Sequence, residues 1–305
     1  MKVIDSVMRR YESEHERVLG VLRTARRRWS WFDHLAVAHE RYQERRGDRM
    51  AAALTFFGFL SFFPLVALAY AALGYAVWFS DQARQSLIDA INSWLPGVSE
   101  ELQVDRIAQA RVGAGAIGLV GLLFGGLGWA SNLRASLREM WLNDPKGGNF
   151  FLKKLGDVGL LLFLGSVLIL SVGASTLAAA ASSRVLSALG LSGVPGADLG
   201  LRLLSVLVAM AFDTCIFLVL FARLSGTKAR WRSLLGGAVL GAFGLEVLKQ
   251  TATYLIRHTT SNPVYASFAV LVGVLIWMNL VSRFLFFTAA WTATRAAVRT
   301  ADAET

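Results

Sequence analysis

The sequence predicts an all-α polytopic membrane protein. It reads as six transmembrane helices, a cytoplasmic amphipathic N-terminal arm and an outer amphipathic helical connection. Three observations carry this. Of 305 residues, 55% are hydrophobic and 17% charged, whereas a soluble domain carries about 25% charged residues. Six segments approach or exceed the roughly 20 apolar residues that cross a bilayer. The basic residues are also distributed one-sidedly between the connections.

The elements follow in order. Residues 1–49 form the arm, which starts MKVIDSVMRRYESEHERV. It has no short apolar region with a small-residue cleavage site, so no signal peptide is expected to be removed. Trp29-Ser-Trp-Phe32 lies between Arg26–Arg28 and Arg45, Arg46 and Arg49. Aromatics flanked by basic residues suit a helix on the inner leaflet, or equally one packed under the bundle. The predicted spans are 50–79, 112–130, 157–181, 201–222, 233–256 and 264–294, and residues 296–305 form a tail. Pro64 in the first span removes one backbone hydrogen bond and predicts a kink. In the connection 80–111, Leu87, Ile88, Ile91, Trp94 and Leu95 keep helical spacing before Pro96-Gly97. Leu102 to Ala108 resumes it, so two short amphipathic helices are expected there. Ser261-Asn262-Pro263 is a cap followed by a proline suited to the first helical position.

Charge sets the orientation. Residues 1–49 hold 12 Lys and Arg. Connections 131–156 and 223–232, with Arg295 and Arg299 at the end of the chain, bring that side to 23, against five on the other. Such a bias places both termini in the cytoplasm. It also accounts for the formal net charge of +10, which is therefore a topology signal and not a nucleic-acid footprint. The single cysteine, Cys215, excludes an intramolecular disulfide and reads as a small buried residue.

Glycine marks helix packing, because small residues let membrane helices approach closely. At about 100° per residue, Gly118, Gly121, Gly125 and Gly128 share one side of the second span. Gly237, Gly241 and Gly244 share one face of the fifth. These faces serve internal packing or a homo-oligomer equally well.

Opposite that second glycine face runs a polar stripe of Glu246, Lys249, Gln250, Thr253 and Arg257. Charges at a helix centre cost roughly +2.5 to +3.5 kcal/mol each on insertion scales, so the stripe must meet protein or water. Asp213 in the fourth span is nearly level with Glu246, counting about 1.5 Å per residue. Arg283 lies under about 10 Å inward of Asp213 on the same count, with Asn279 on its face. Two readings stay open. The charges lock helix register, with Glu246 on Lys249 and Asp213 on Arg283. Or they line a path for an ion or an anionic headgroup.

Catalysis finds little support. Of four histidines, His15, His34 and His39 lie in the arm and His258 at the outer face. They cannot converge on a metal, and HExxH and paired CxxC are absent. GLLFGGLGW has no Lys-Ser/Thr after it, so it is a packing face and not a phosphate loop. Asp33 and His34 are sequence neighbours, which do not face each other on a helix. No enzyme activity, cofactor or metal is expected.

MAAALTFFGFLSFFPL, LRASLREMWLNDPKGGNFFLKKL, RSLLGGAVLGAFGLEVLKQTATYLI and ASFAVLVGVLIWMNLVSRFLFF occur in that order. Together with Trp141, Trp231, Tyr254, Tyr265 and Trp277, they resemble the YihY/virulence factor BrkB family over roughly residues 30–295. The resemblance implies six helices in the bacterial cytoplasmic membrane and a link to envelope integrity. It also brings an old ribonuclease BN label, which nothing in these residues supports. The family's last helix usually ends in a Gly-Ala-Glu-like motif. Here it reads FFTAAWTATR, with Trp291 where the acid is expected, so no role of that glutamate transfers. The function expected is a transporter or lipid-translocating protein, with membrane lipids as partners and an anionic lipid or solute as substrate. The alternatives are a non-transporting membrane scaffold and, remotely, a membrane-bound hydrolase.

Overall fold

A computed structural model of the chain describes residues 26, 28–82, 85, 104–144, 151–170 (without 153 and 168), 197–259 and 266–295. Side chains are described for these except 104–109, 197–205, 253–259 and 266–270. Among the described residues all regular structure is helical. The elements are α1 (Ser30–Glu44), α2 (Gly47–Phe79), α3 (Val104–Met140), α4 (154–167), α5 (Ala197–Val219), α6 (Trp231–Thr259) and α7 (Ala266–Ala293). A π turn at Leu220–Leu224 closes α5.

Among the described residues five helices are long and apolar enough to cross a membrane: Gly47–Phe79, Ala110–Met140, Val206–Leu224, Trp231–Ala252 and Leu271–Ala293. The predicted third span begins in α4, and its second half lies outside the described residues, as do the helix expected near Leu87–Leu95 and the Ser261–Pro263 cap. Two boundaries move. The turn predicted from Leu102 is not a separate helix, since Val104 opens α3. At the other end α3 runs ten residues past the predicted stop at Ala130. Hydropathy falls there, but Leu133, Leu137 and Met140 keep the helical spacing and are fully buried. Amphipathic packing carries the helix where apolar length no longer does. At about 1.5 Å per residue α3 is roughly 55 Å long, well beyond the hydrocarbon core.

α1 and α2 are joined by Arg45 and Arg46 alone. Arg46 adopts a left-handed backbone, φ +54°, and Gly47 then sits under the Tyr42 ring, where a Cβ would collide. The Tyr42 hydroxyl donates to Asp48 Oδ1 at 2.8 Å. Burial, and then that bond, push the phenol pKa above its ordinary value, so the hydroxyl stays a donor. α1 is amphipathic: Ala38 and Tyr42 are buried, while Trp29 and Trp31 stay exposed. One face of α1 packs on α7, the packed arrangement that was one of the two expectations for the arm.

α2 continues through Pro64 without a break. α3 lies antiparallel against it along the four predicted glycines. Gly128 meets Phe57, Gly125 meets Ser61, Gly121 meets Pro64 and Gly118 meets Leu68 and the Pro64 carbonyl. A Cβ at Gly121 would come within 2.6 Å of Pro64 Cγ, so only glycine admits the proline ring there. Arg111 closes the far end of this pair, 4.3 Å from the centre of the Trp78 ring.

The core sits at one end of the bundle. Leu54, Leu133, Leu137, Met140, Trp141, Phe221, Leu234, Phe286 and Ala290 form it. Arg41 donates to the Met140 carbonyl and Asn143 to the Ser225 carbonyl, so the starts of α2 and α6 and the ends of α3, α5 and α7 gather there. This is the arginine-rich end. Toward the other end Leu73, Phe79, Val112, Ile117 and Ile276 are exposed, as lipid-facing side chains are. Cys215 is exposed too, correcting its expected burial: α5 packs chiefly on α6, and Cys215 lies on the free side.

Candidate functional site

The polar stripe begins as local helix chemistry. Glu246, Lys249 and Gln250 are spaced i, i+3, i+4 on α6 and therefore adjacent. Gln250 Nε2 donates to Glu246 Oε1 at 3.0 Å, and Lys249 Nζ lies 3.4 Å from Glu246 Oε2. α5 supplies the third charge. Phe217 packs its ring on Gly241, which fixes the register of the two antiparallel helices. Asp213 is one turn from Phe217, and the long Lys249 stem bends back to it: Nζ to Asp213 Oδ2 is 2.6 Å. The site is thus one ammonium between two carboxylates.

Exposure is uneven within it. The side chains of Asp213 and Glu246 are 10% and 14% exposed, and that of Lys249 is 40% exposed. The carboxylates are buried, and the Lys249 side chain, whose ammonium reaches back to them, is the most exposed member of the cluster. The formal charge of the three is −1, so an arriving anion would compete with both carboxylates for Nζ.

The other predicted residues separate from this cluster. The register-locking reading pairs Arg283 with Asp213; Asp213 instead takes Lys249, and Arg283 faces Asp48. Its Nε lies 3.4 Å from Asp48 Oδ1, with both side chains about half exposed. The reason is lateral. α5 packs chiefly on α6, whereas α7 packs on α2, α6 and α1, so residues close in depth stand on different sides of α6. Asn279 likewise joins α2, its Nδ2 3.4 Å from Thr55 Oγ1. Thr253 and Arg257 belong to α6, but their side chains lie outside the described residues. On the glycine face of α6, Gly237 meets Thr292, Gly244 meets Phe284 and Gly241 meets Phe217, so α6 lies between α5 and α7.

Two polar contacts escaped the sequence reading. Arg134 donates to Asp157 Oδ1 at 2.6 Å, with Asp157 2% exposed and Arg134 14%. This pair bolts α4 to α3, and Asp157 Oδ2 is buried without a hydrogen-bond partner. A signal existed: Asp157 is the lone acid between residues 145 and 197, and a lone acid entering an apolar span calls for a cation. The second is His34, whose Nε2 is 3.0 Å from the Trp291 carbonyl oxygen and 3.1 Å from Thr294 Oγ1. The His34 and Trp291 rings stand 4.7 Å apart between centres. Among the described residues no three His, Cys, Asp or Glu side chains are grouped as a metal site would need.

A family model described as Virulence factor BrkB matches residues 38–305. The chain belongs to the virulence factor BrkB family. The match takes in α2 to α7, the α5–α6 cluster and the Arg134–Asp157 pair. The Inner membrane protein YhjD of Escherichia coli is 30% identical over 270 residues, covering 86% of this chain and 80% of that protein. An uncharacterized protein of Dickeya dadantii is 27% identical over 270 residues, 86% of this chain and 82% of its own. A UPF0761 membrane protein of Teredinibacter turnerae is 27% identical over 245 residues, 78% of this chain and 54% of that protein. No solved structure matches. With the five apolar helices, this makes the chain a multi-pass membrane protein of the BrkB family. Its Trp291, where the resemblance implies an acid, is one of the residues that seat α1, together with Phe287 and Thr294.

Proposed function

We propose that this is a translocation protein of the bacterial inner membrane with both termini in the cytoplasm. It passes an anionic group, a lipid phosphate or a solute carboxylate, along the α6 face of Glu246, Lys249 and Gln250. Thr253 and Arg257 continue that face by helical spacing. The carrying observation is the uneven exposure of the cluster: the Lys249 side chain is 40% exposed, and Asp213 and Glu246, which its ammonium touches, are 10% and 14% exposed. A cation presented at the side of a membrane helix attracts anions. The carboxylates it touches keep the hold weak, as a path requires, since a site must release what it binds. The orientation rests on the 23-to-5 bias of Lys and Arg. It is supported by residues 30 and 295 lying at the same end of the bundle. The inner membrane is supported by the likeness to the Inner membrane protein YhjD of Escherichia coli.

The test is reconstitution of the full chain in liposomes, with transfer of labelled phospholipid or labelled organic anion as the readout. Lys249→Met is expected to abolish transfer and Glu246→Gln to change it. Transfer unaltered by both would overturn the path. A second reading, a non-transporting scaffold, is favoured by each charge of the cluster having a partner. Reduced stability of these variants, with no transfer by the wild type, would select it.

A further inference from the structure

A second polar site lies at the arginine-rich end, apart from the α5–α6 cluster. Arg45, Glu139, Leu142 and Asn143 line a cavity of about 340 Å³. It is built where the α1–α2 link meets the end of α3. Of the two non-glycine residues with left-handed backbone among the described residues, Leu142 at φ +61° lines it, and Arg46 at φ +54° follows the lining residue Arg45 in the chain. Leu142 stands where a helix of this ending takes glycine: its N–H returns to the Glu139 carbonyl and that of Asn143 to the Arg138 carbonyl. Unusual backbone of this kind concentrates at binding sites. Asn143 is fixed by its bond to the Ser225 carbonyl, so the wall it forms is rigid.

The chemistry of the lining is specific. Arg45 and Glu139 are both partly buried and face the same space. No ion pair joins them, and neither side chain has a hydrogen bond or ion pair among the described residues. Arg45 Nε is buried with no partner. A cavity that offers a cation and an anion, both unspent, fits neither a simple anion nor a simple cation. A bare phosphate would satisfy Arg45 and be repelled by Glu139, and a bare ammonium the reverse. A group carrying both charges satisfies both. The apolar run of α2 begins at Met50, five residues after Arg45, which puts the cavity at headgroup level once α2 spans the bilayer. Leu142 is 55% exposed at its edge, an apolar lip suited to the glycerol and first acyl carbons.

We infer that this cavity binds the headgroup of a zwitterionic phospholipid with a primary amine, its phosphate on Arg45 and its ammonium on Glu139. The inference is independent of transport. It is tested on the delipidated full-length protein in detergent, by native mass spectrometry and thermal shift. The probes are short-chain phosphatidylethanolamine, phosphatidylglycerol, phosphatidylcholine and free O-phosphoethanolamine. Phosphatidylethanolamine is expected to bind at least tenfold tighter than phosphatidylglycerol. Phosphatidylcholine, whose quaternary ammonium cannot donate to Glu139, is expected to fall between. Glu139→Gln should erase the preference and Arg45→Gln should weaken every phospholipid. Neither should alter stability without lipid, because neither residue has a side-chain partner to lose among the described residues. Should either variant fail to fold, Glu139→Asp serves: it is expected to weaken phosphatidylethanolamine several-fold and leave phosphatidylglycerol unchanged. Equal binding of the two lipids, or a preference that survives Glu139→Gln, overturns the site. Free O-phosphoethanolamine binding as tightly as the lipid overturns its assignment to a lipid.

Discussion

Removing the cation of the α5–α6 cluster separates its structural and functional roles. Lys249→Met leaves Asp213 and Glu246, 10% and 14% exposed, facing each other without a positive charge. Truncating one partner of a buried ion pair costs about 3–5 kcal/mol, because the remaining charge is buried uncompensated. Two features pull the figure to the lower end: Lys249 is 40% exposed, and Glu246 keeps its bond from Gln250. We therefore expect a loss of about 3 kcal/mol for Lys249→Met. In Lys249→Met/Asp213→Asn one of the two carboxylates is neutral, and most of that loss should return, to within about 1 kcal/mol of wild type. The assay is denaturant titration in mixed micelles for wild type, both single variants and the double. The same four proteins are compared in liposome transfer. On the path reading the double variant is stable and inactive. A Lys249→Met variant as stable as wild type would refute the electrostatic account of the cluster. A double variant that transfers like wild type would refute the path.

Other consequences can be measured with the same stability assay. Arg134→Met should destabilise by about 3–5 kcal/mol, since it strands Asp157 at 2% exposure. Asp157→Asn should cost less, because Arg134 keeps its bond to Ser131, and a reversed order would sink this account of the pair. Gly121→Val should cost about 1–3 kcal/mol by overpacking against Pro64. Gly113→Ala meets open space and should stabilise by up to about 1 kcal/mol through helix propensity. His34→Ala should loosen α1 by about 0.5–1.5 kcal/mol. Hydrogen exchange across residues 30–44 should then rise, while exchange in α6 stays unchanged.

What the sequence made legible follows from how many spatial coordinates each feature needs. Apolar length alone yields spans, and five of the six predicted are helices of spanning length in the structure. Spacing on one helix suffices for Glu246, Lys249 and Gln250, whose mutual bonds are one turn long. Spacing also suffices for Gly118 to Gly128, whose shared side is the side α2 occupies. Partners on other helices need more. Counting residues gave the depth of Asp213, Glu246 and Arg283, but depth is one coordinate of three. It could not tell that Arg283 stands over α2 while Asp213 stands over α6. The end of α3 was missed for a different reason. A hydropathy threshold stops at Ala130, whereas Leu133, Leu137 and Met140 continue the helix by periodicity. Arg134 was read only as a topology charge, although the lone acid Asp157 was waiting for it.

The exposures rank the intramembrane polar contacts by what they can do. At α3–α4 the Arg134–Asp157 pair is closed on both sides, 14% and 2% exposed, so neither group is offered to a ligand and its effect is to hold two helices. At α2–α7 the Arg283–Asp48 pair is 52% exposed on both sides and lies in the first turn of α2. It is therefore open to water or headgroups and contributes little to stability. The α5–α6 cluster is intermediate and asymmetric. Its carboxylates are enclosed by protein, and the Lys249 side chain is its most exposed member. The Arg134–Asp157 pair shows how far a purely structural pair closes both members off, and Lys249 is not closed off to that degree. A ligand can therefore reach the cluster by way of Lys249, which is the residue on which the proposed path stands.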